Sequence, residues 1–191
     1  MRRTTLPALA AACILLAELA ACSGEPGPDG TEPPSPEPST SQASESPDVS
    51  AAPQMPPLAT KHTRAGAIAF TKHYFAIANY AQEALDVQPL VELADPACNT
   101  CDGGTDALQR IARRNGVVRG GTTTLSKLHA HMSEIAGQEW MRVTFKWHVS
   151  ALQEDYPGTK NDKSWRPTGG SSYFVLKPTD SGWLVDYWDI Q

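Results

Sequence analysis

The pair Cys98 and Cys101, separated by two residues, is the sharpest chemical feature of the 191-residue sequence. Two thiols this close are expected to pair in an oxidising compartment. The pair lies just before a predicted helix, whose N-terminus would lower the pKa of a thiol and make the pair redox active. The other interpretation, a small structural disulfide, is favoured because no thioredoxin-like βαβ pattern precedes the pair. Zinc needs about four ligands, so two cysteines without an adjacent histidine predict no metal site.

Three histidines are a second candidate site. His129 and His131 alternate along a predicted strand and so project from one face, and His148 could lie opposite them on the neighbouring strand. Three imidazoles on one face could bind a transition metal. That face is the polar one, however, where solvated histidines are the more ordinary outcome. Metal binding is therefore an alternative, and the pattern favours histidines without a metal.

Five aromatic residues are placed to face the predicted interior, where they would either fill the core or line a ligand pocket. They are Phe70, Tyr74, Phe145, Trp147 and Trp188. A catalytic pocket would also need an acid or a histidine with a pKa shifted toward neutrality. Asp186 and Asp189 are the only acids near the predicted core, and neither has an evident partner. We predict no catalytic residue and no cofactor, and keep an enzyme that uses the pocket as an alternative.

A polar stretch of 17 residues, 154–170, is predicted to be a loop and carries Tyr156 and Trp165. Long loops in compact domains are commonly functional or mobile. Exposed aromatic side chains among polar neighbours suit a contact with a protein or a glycan. The stretch is thus either an interaction loop or an ordinary mobile hairpin connection.

The first half of the segment 59–191 is predicted to be helical. Apolar residues recur every three or four positions over 63–85, which predicts a long helix with Thr63 as its N-cap. The buried face of that helix is predicted to hold Phe70, Tyr74, Ile77, Ala81 and Leu85. Two shorter helices are predicted over 88–94 and 102–115, the last ending at Gly116.

After Gly120 and Gly121 the apolar period changes to two, which predicts strands over 128–133, 141–149, 173–177 and 183–190. The strand 141–149 has one apolar and one polar face. Helices first and antiparallel strands afterwards predict an α+β domain, with N-terminal helices packed on one face of an antiparallel sheet. Residues 59–191 are enough for one core.

Residues 22–58 are predicted to be a disordered tether. The segment 23–58 contains ten prolines, seven serines, six acids and no lysine or arginine. Such a composition cannot offset the entropy of ordering and favours an extended spacer, with a reach of at most about 110 Å in polyproline geometry. The remaining segment, 59–191, carries 14 basic and 14 acidic residues. A neutral domain gives no reason to expect nucleic-acid binding.

The N-terminal sequence has the features of a targeting signal. Arg2 and Arg3 precede a short apolar run, and residues 1–21 have the proportions of a signal peptide rather than of a membrane span. The stretch Leu19-Ala20-Ala21-Cys22 resembles the lipobox of bacterial lipoproteins. This resemblance implies cleavage before Cys22, lipidation of its sulfur by acyl chains such as palmitate, and anchoring on the extracytoplasmic face of the cell membrane. The alternative is an ordinary secretory signal that leaves a soluble protein.

If Cys13 leaves with the leader and Cys22 is lipidated, Cys98 and Cys101 are each other's only intramolecular partners.

The order of elements is similar to the NTF2-like (cystatin-like) superfamily, which implies a curved antiparallel sheet that closes into a cone. The segment 183–188 resembles the last strand of that superfamily. The lipobox, the tether and the segment 95–101 with its two cysteines resemble an uncharacterised family of actinobacterial lipoproteins, which implies no chemistry. We therefore predict a non-catalytic envelope module that binds a protein, a wall polymer or a small apolar ligand.

Overall fold

The computed structural model describes residues 51–135 and 137–191. Over this part of the chain a 3-10 turn at Pro57–Thr60 precedes the helices α1 (Arg64–Ala84), α2 (Gln88–Val91) and α3 (Asn99–Arg113). The strands that follow are β1 (Val117–Gly120), β2 (Thr123–Ile135), β3 (Gln138–Val149), β4 (Leu152–Asp155), β5 (Lys163–Trp165), β6 (Thr168–Thr179) and β7 (Gly182–Ile190). The predicted signal peptide (1–21), Cys22 and the predicted tether up to residue 50 lie outside the described residues.

The strands form two antiparallel sheets. The larger has the order β2-β3-β6-β7 and the smaller the order β1-β4-β5. Mixed helices and antiparallel sheet confirm the predicted α+β class. The alternation predicted for β3 is also confirmed: Met141, Val143 and Phe145 are buried on one face, while Lys146 and His148 are exposed on the other.

The first helix was predicted closely. The Thr63 hydroxyl accepts a hydrogen bond from the Gly66 amide at 3.0 Å, which is the expected N-cap. The predicted face is buried at Phe70, Tyr74, Ile77 and Ala81. The sequence pattern missed Phe75, which stacks on Phe174 with ring centroids 5.6 Å apart and contacts Phe145 and Trp188 edge-on. An aromatic cluster therefore joins α1 to the larger sheet.

Two polar side chains of α1 attach it to the end of β1 and the start of β2. The Asn79 amide donates to the Thr123 carbonyl oxygen at 3.0 Å, and its oxygen accepts from the Thr123 amide at 2.8 Å. Gln82 donates to the Gly120 carbonyl oxygen at 2.7 Å. Asn79 thus completes backbone hydrogen bonds as a neighbouring strand would.

The chain passes from the smaller to the larger sheet at Gly120 and Gly121, where the sequence predicted a break. Both glycines have positive φ, 69° and 71°. A Cβ on Gly120 would collide with the Ala151 carbonyl oxygen, so this close approach requires glycine.

The segment 154–170 is not the loop that its polarity predicted. It contains the end of β4, all of β5 and the start of β6. The strands β4 and β5 pair antiparallel, with Leu152 opposite Trp165 and Glu154 opposite Lys163. Cross-strand contacts and the burial of Tyr156 stabilise a hairpin whose strands are too short to show an apolar alternation.

Two helix boundaries also differ from the prediction. α2 ends at Val91, because the following residues pair with β7 instead: the Val185 amide donates to the Leu93 carbonyl oxygen at 2.9 Å. α3 begins at Asn99, so that Cys101 lies in its first turn.

The last residues of the predicted tether contact the domain. Ala52 and Met55 pack against the main core, and Pro57–Thr60 forms the 3-10 turn. Ordered contacts thus begin before residue 59, because apolar side chains are present in this otherwise polar segment.

Replacing Asn79 by alanine is expected to lower the free energy of unfolding by about 2 kcal/mol, since it leaves two half-buried backbone groups of Thr123 without partners. Urea denaturation followed by circular dichroism measures the loss. The matched control is Asn161→Ala, at an exposed position whose side chain makes no hydrogen bond within the described residues. A loss below about 0.5 kcal/mol for Asn79→Ala, the usual range for surface substitutions, would contradict the role of this contact.

Candidate functional site

An apolar cavity of about 270 Å³ lies beneath α3. We call it the α3 cavity. α3 contributes Gly104, Ala107, Leu108 and Ile111 to its wall. Leu152 of β4 also lines the cavity. These α3 positions follow the spacing of one helical face. Most of the remaining lining residues are apolar as well, so the cavity suits an apolar ligand.

Two of the five predicted pocket aromatics line the α3 cavity. They are Tyr74 from α1 and Trp188 from β7. Phe70 and Phe145 are buried in the closed core instead, and Trp147 packs against that core without lining this cavity. For these three residues the core-filling interpretation is the one that the structure supports.

The ring of Tyr74 is held by neighbours on several sides. It packs edge-on against Phe174 and Trp188, with centroid distances of 5.1 and 6.3 Å. The Trp188 indole N–H donates to the Ser172 hydroxyl at 3.3 Å. Burial raises the pKa of Tyr74 strongly, and the charge of Asp102 raises it further. Tyr74 therefore stays a neutral phenol at physiological pH.

A second, charged recess adjoins the α3 cavity, and we call it the basic recess. Its volume is about 270 Å³, and Ala107, Ile111 and Glu154 line both spaces. The residues that line the basic recess alone are Arg110, Arg114, Tyr156 and Lys163.

Glu154 is engaged by two of these neighbours. The Tyr156 hydroxyl donates to Glu154 Oε2 at 2.7 Å, and Lys163 Nζ lies 3.6 Å from the same oxygen. The hydrogen bond to Glu154 is the main reason that the pKa of Tyr156 is raised, with burial next, while Arg114 and Arg110 act against the rise.

The predicted interaction aromatics fall in different surroundings. Tyr156 is only 6% exposed and packs with Ile111 and Val118 in a second small core, so its predicted exposure was wrong. The hairpin folds this side chain inward, against the end of α3. Trp165 is 44% exposed, in agreement with the expectation for an interaction residue.

The cysteines form the predicted pair. Cys98 and Cys101 are joined by a disulfide with a Cα–Cα distance of 5.3 Å, at the start of α3. Both are buried, at 2% and 4% exposure, within the main core. Reagents and partner thiols thus meet little sulfur surface, which favours the structural interpretation over the redox one.

The three histidines do not converge. His129 lies opposite Thr144 and His131 opposite Arg142, whereas His148 lies opposite Thr124. Four residues along β3 separate Thr144 from His148, a distance of about 13 Å. Over residues 51–135 and 137–191, no group of three or more histidine, cysteine or acidic side chains is placed to hold a metal ion.

The two acids of β7 lie outside the α3 cavity. Asp186 occupies a register shift between β6 and β7 and is half-buried. Burial raises the pKa of Asp186, the charge of Asp95 adds to this, and Lys177 opposes it. Asp189 accepts a hydrogen bond from the Tyr187 hydroxyl at 3.4 Å.

Sequence reasoning missed the basic recess. Arg113 and Arg114 suit the negative C-terminus of the predicted helix, and this alone indicates no binding site. The spacing of Arg110 and Arg114, four residues apart on one helical face, was the available signal. Lys163 could not be added to them, because the stretch that carries it had no strand pattern.

No helix within the described residues combines the length and the apolar character that crossing a bilayer would require.

Comparison with known proteins gives structural likenesses at low identity. The intermembrane space region of the chloroplast protein ARC6 is 16% identical, with a TM-score of 0.49, over 68% of this chain and 97% of that one. The β subunit of benzoate 1,2-dioxygenase from Burkholderia mallei is 10% identical, with a TM-score of 0.43, over 68% and 90%. ActVI-ORFA from Streptomyces coelicolor is 12% identical, with a TM-score of 0.39, over 65% and 96%. These likenesses are too distant to assign an activity or a ligand.

No protein of curated function matches the chain. A family model does match it, over residues 37–186, which include residues 37–58 of the predicted tether and nearly all of the folded part. The chain therefore belongs to the family of unknown function DUF6318.

Proposed function

We propose that this protein is a non-catalytic binding module of the cell envelope, anchored by lipid at Cys22, which holds a small apolar ligand in the α3 cavity. The observation that carries this proposal is the cavity itself: about 270 Å³ of space walled mainly by apolar side chains. Ligand sites are typically concave and mostly apolar, with a few polar groups that orient the ligand.

The proposed lipid anchoring at the membrane is supported by the N-terminal sequence. Leu19, Ala20 and Ala21 precede Cys22 as in a lipobox. Each buried methylene of an acyl chain contributes about 0.8 kcal/mol, so two or three chains would anchor the protein stably. The Pro-rich segment after Cys22 would then act as a spacer between the membrane and the domain.

The proposed fold is an NTF2-like cone. The order of elements supports it: a long α1, two shorter helices and then strands that pair in a four-stranded antiparallel sheet. In such a cone the space between helices and sheet is where a ligand would lie, and the α3 cavity occupies that place between α1, α3 and Trp188 of β7.

Binding fits the titratable groups of the cavity better than catalysis does. The Tyr74 phenol is neutral at physiological pH, and burial raises its pKa further above the ordinary value. Glu154 is already tied to Tyr156 and Lys163. An acid–base catalyst would need a group that can exchange a proton near neutral pH.

A neutral apolar fluorophore tests the cavity. We expect N-phenyl-1-naphthylamine to bind the domain and gain fluorescence. Ala107→Trp should weaken binding by about tenfold or more, since the indole would occupy the space and tenfold requires only about 1.4 kcal/mol. Gln109→Trp is the matched control, because Gln109 is exposed on the same helix and lines neither space. Equal binding by all three proteins, or none by the wild type, would contradict the proposal.

The anchor is tested by Cys22→Ala. Without the lipidated sulfur the protein should be released from cells into the medium, which immunoblotting of membrane and medium fractions measures. The intact protein should partition into the detergent phase of a Triton X-114 extraction. If the wild-type protein and the Cys22→Ala variant both stay in the aqueous phase, lipid anchoring is excluded.

The buried disulfide predicts resistance to reduction. In the native full chain, millimolar dithiothreitol followed by iodoacetamide should leave Cys98 and Cys101 unalkylated, as peptide mass spectrometry would show, because both sulfurs lie in the core. The same treatment in urea should alkylate both. Full alkylation of the native protein would instead favour the thiol–disulfide function.

A further inference from the structure

The α3 cavity and the basic recess are neighbours along α3. Three residues line both of them, Ala107 and Ile111 of α3 and Glu154 of β4. On the helix, Gly104 and Leu108 line only the apolar side, whereas Arg110 and Arg114 line only the charged side. One helix thus changes from an apolar to a cationic wall within about two turns.

The charge of the basic recess is unbalanced. Three cationic side chains line it, Arg110, Arg114 and Lys163, against the single carboxylate of Glu154. That carboxylate already accepts the Tyr156 hydroxyl and pairs with Lys163. Within the described part of the chain, Arg110 and Arg114 form no ion pair. Their charge therefore remains available to an anion.

Both arginines line the recess from exposed positions at the end of α3. They oppose the rise in the pKa of Tyr156, whose hydroxyl lies against Glu154. The negative end of α3 favours any cation of its last turn, including Arg113. Arg113 lines neither space.

We propose that the ligand is an anionic amphiphile, whose apolar chain fills the α3 cavity and whose carboxylate or phosphate lies in the basic recess between Arg110, Arg114 and Lys163. This inference rests on the proposed function of the α3 cavity. Guanidinium groups bind carboxylate and phosphate through paired N–H donors, and the binding is stronger where the anion is partly removed from water.

The volume of the α3 cavity sets the scale of the chain that can be buried there. A water molecule, close in size to a methylene group, takes up about 30 Å³ of liquid. A volume of about 270 Å³ then holds a chain on the order of nine carbons. A single medium-length chain fits this space, whereas a two-chain phospholipid would leave much of its apolar surface outside.

Probes of one chain length test the charge. The full chain carrying Cys22→Ala is used, so that its own acyl groups cannot occupy the cavity. Isothermal titration calorimetry compares decanoate, decyl phosphate, neutral 1-decanol and inorganic phosphate. We expect decanoate and decyl phosphate to bind about tenfold or more tightly than decanol, a difference of about 1.4 kcal/mol. Inorganic phosphate should bind far more weakly than decyl phosphate. The tighter of the two anionic probes identifies the headgroup.

Variants locate the headgroup. The double variant Arg110→Gln with Arg114→Gln should lose about tenfold or more in decanoate affinity, again about 1.4 kcal/mol, while its decanol affinity stays the same. Unchanged decanol binding also shows that the variant is folded. Arg113→Gln removes one positive charge from the same helix outside the recess, and it should bind decanoate as the wild type does.

The outcomes separate the two proposals. Decanol binding as tightly as decanoate would overturn the anionic ligand and leave the apolar cavity intact as a site. Equal affinity for inorganic phosphate and decyl phosphate would overturn the amphiphile in favour of a free anion. Equal losses for the Arg113 variant and the double variant would place the anion elsewhere. Binding of none of the chain-bearing probes would remove the proposed function as well.

Discussion

The site depends on how α3 is held, because both ends of this helix pack into a core. At its start Cys98 and Cys101 are buried in the main core, and near its end Ile111 packs with Val118 and Tyr156. Between them Gly104 carries no side chain, and a Cβ there would meet only open space. Glycine inside a helix costs about 1 kcal/mol relative to alanine. Gly104 lines the α3 cavity, so a larger side chain at this position would take up part of its space.

The opposite wall of the cavity is rigid for a different reason. Trp188 packs edge-on against Phe75 and Phe174, with centroid distances of 5.7 and 5.5 Å, and its N–H is satisfied by Ser172. A wall fixed in advance needs no ordering when a ligand enters, which lowers the entropic cost of binding. α3 therefore forms one wall of the α3 cavity, and the aromatic cluster around Trp188 forms a rigid wall opposite it.

The sequence was most informative where periodicity is strong. It predicted α1 with its Thr63 cap, the apolar alternation of β3 and the cysteine pair, since each depends on local spacing. It failed where distant segments meet, since Tyr156 is buried by the end of α3. The alternative in which His148 lies opposite His129 and His131 depended on the register of β2 and β3, which sequence spacing does not set. The basic recess combines arginines of one helix with a lysine from a three-residue strand, a combination that only tertiary pairing brings together.

Intermolecular nuclear Overhauser effects with bound decanoate test the central claim, that the space beneath α3 is where the ligand lies. Methyl groups of Leu108, Ile111 and Leu152 line that space. The account predicts Overhauser effects between these methyls and the protons of the decanoate chain, with the terminal methyl of the chain on the Trp188 side. Effects confined to residues of another surface, such as the exposed Val91 or Ile190, would contradict it.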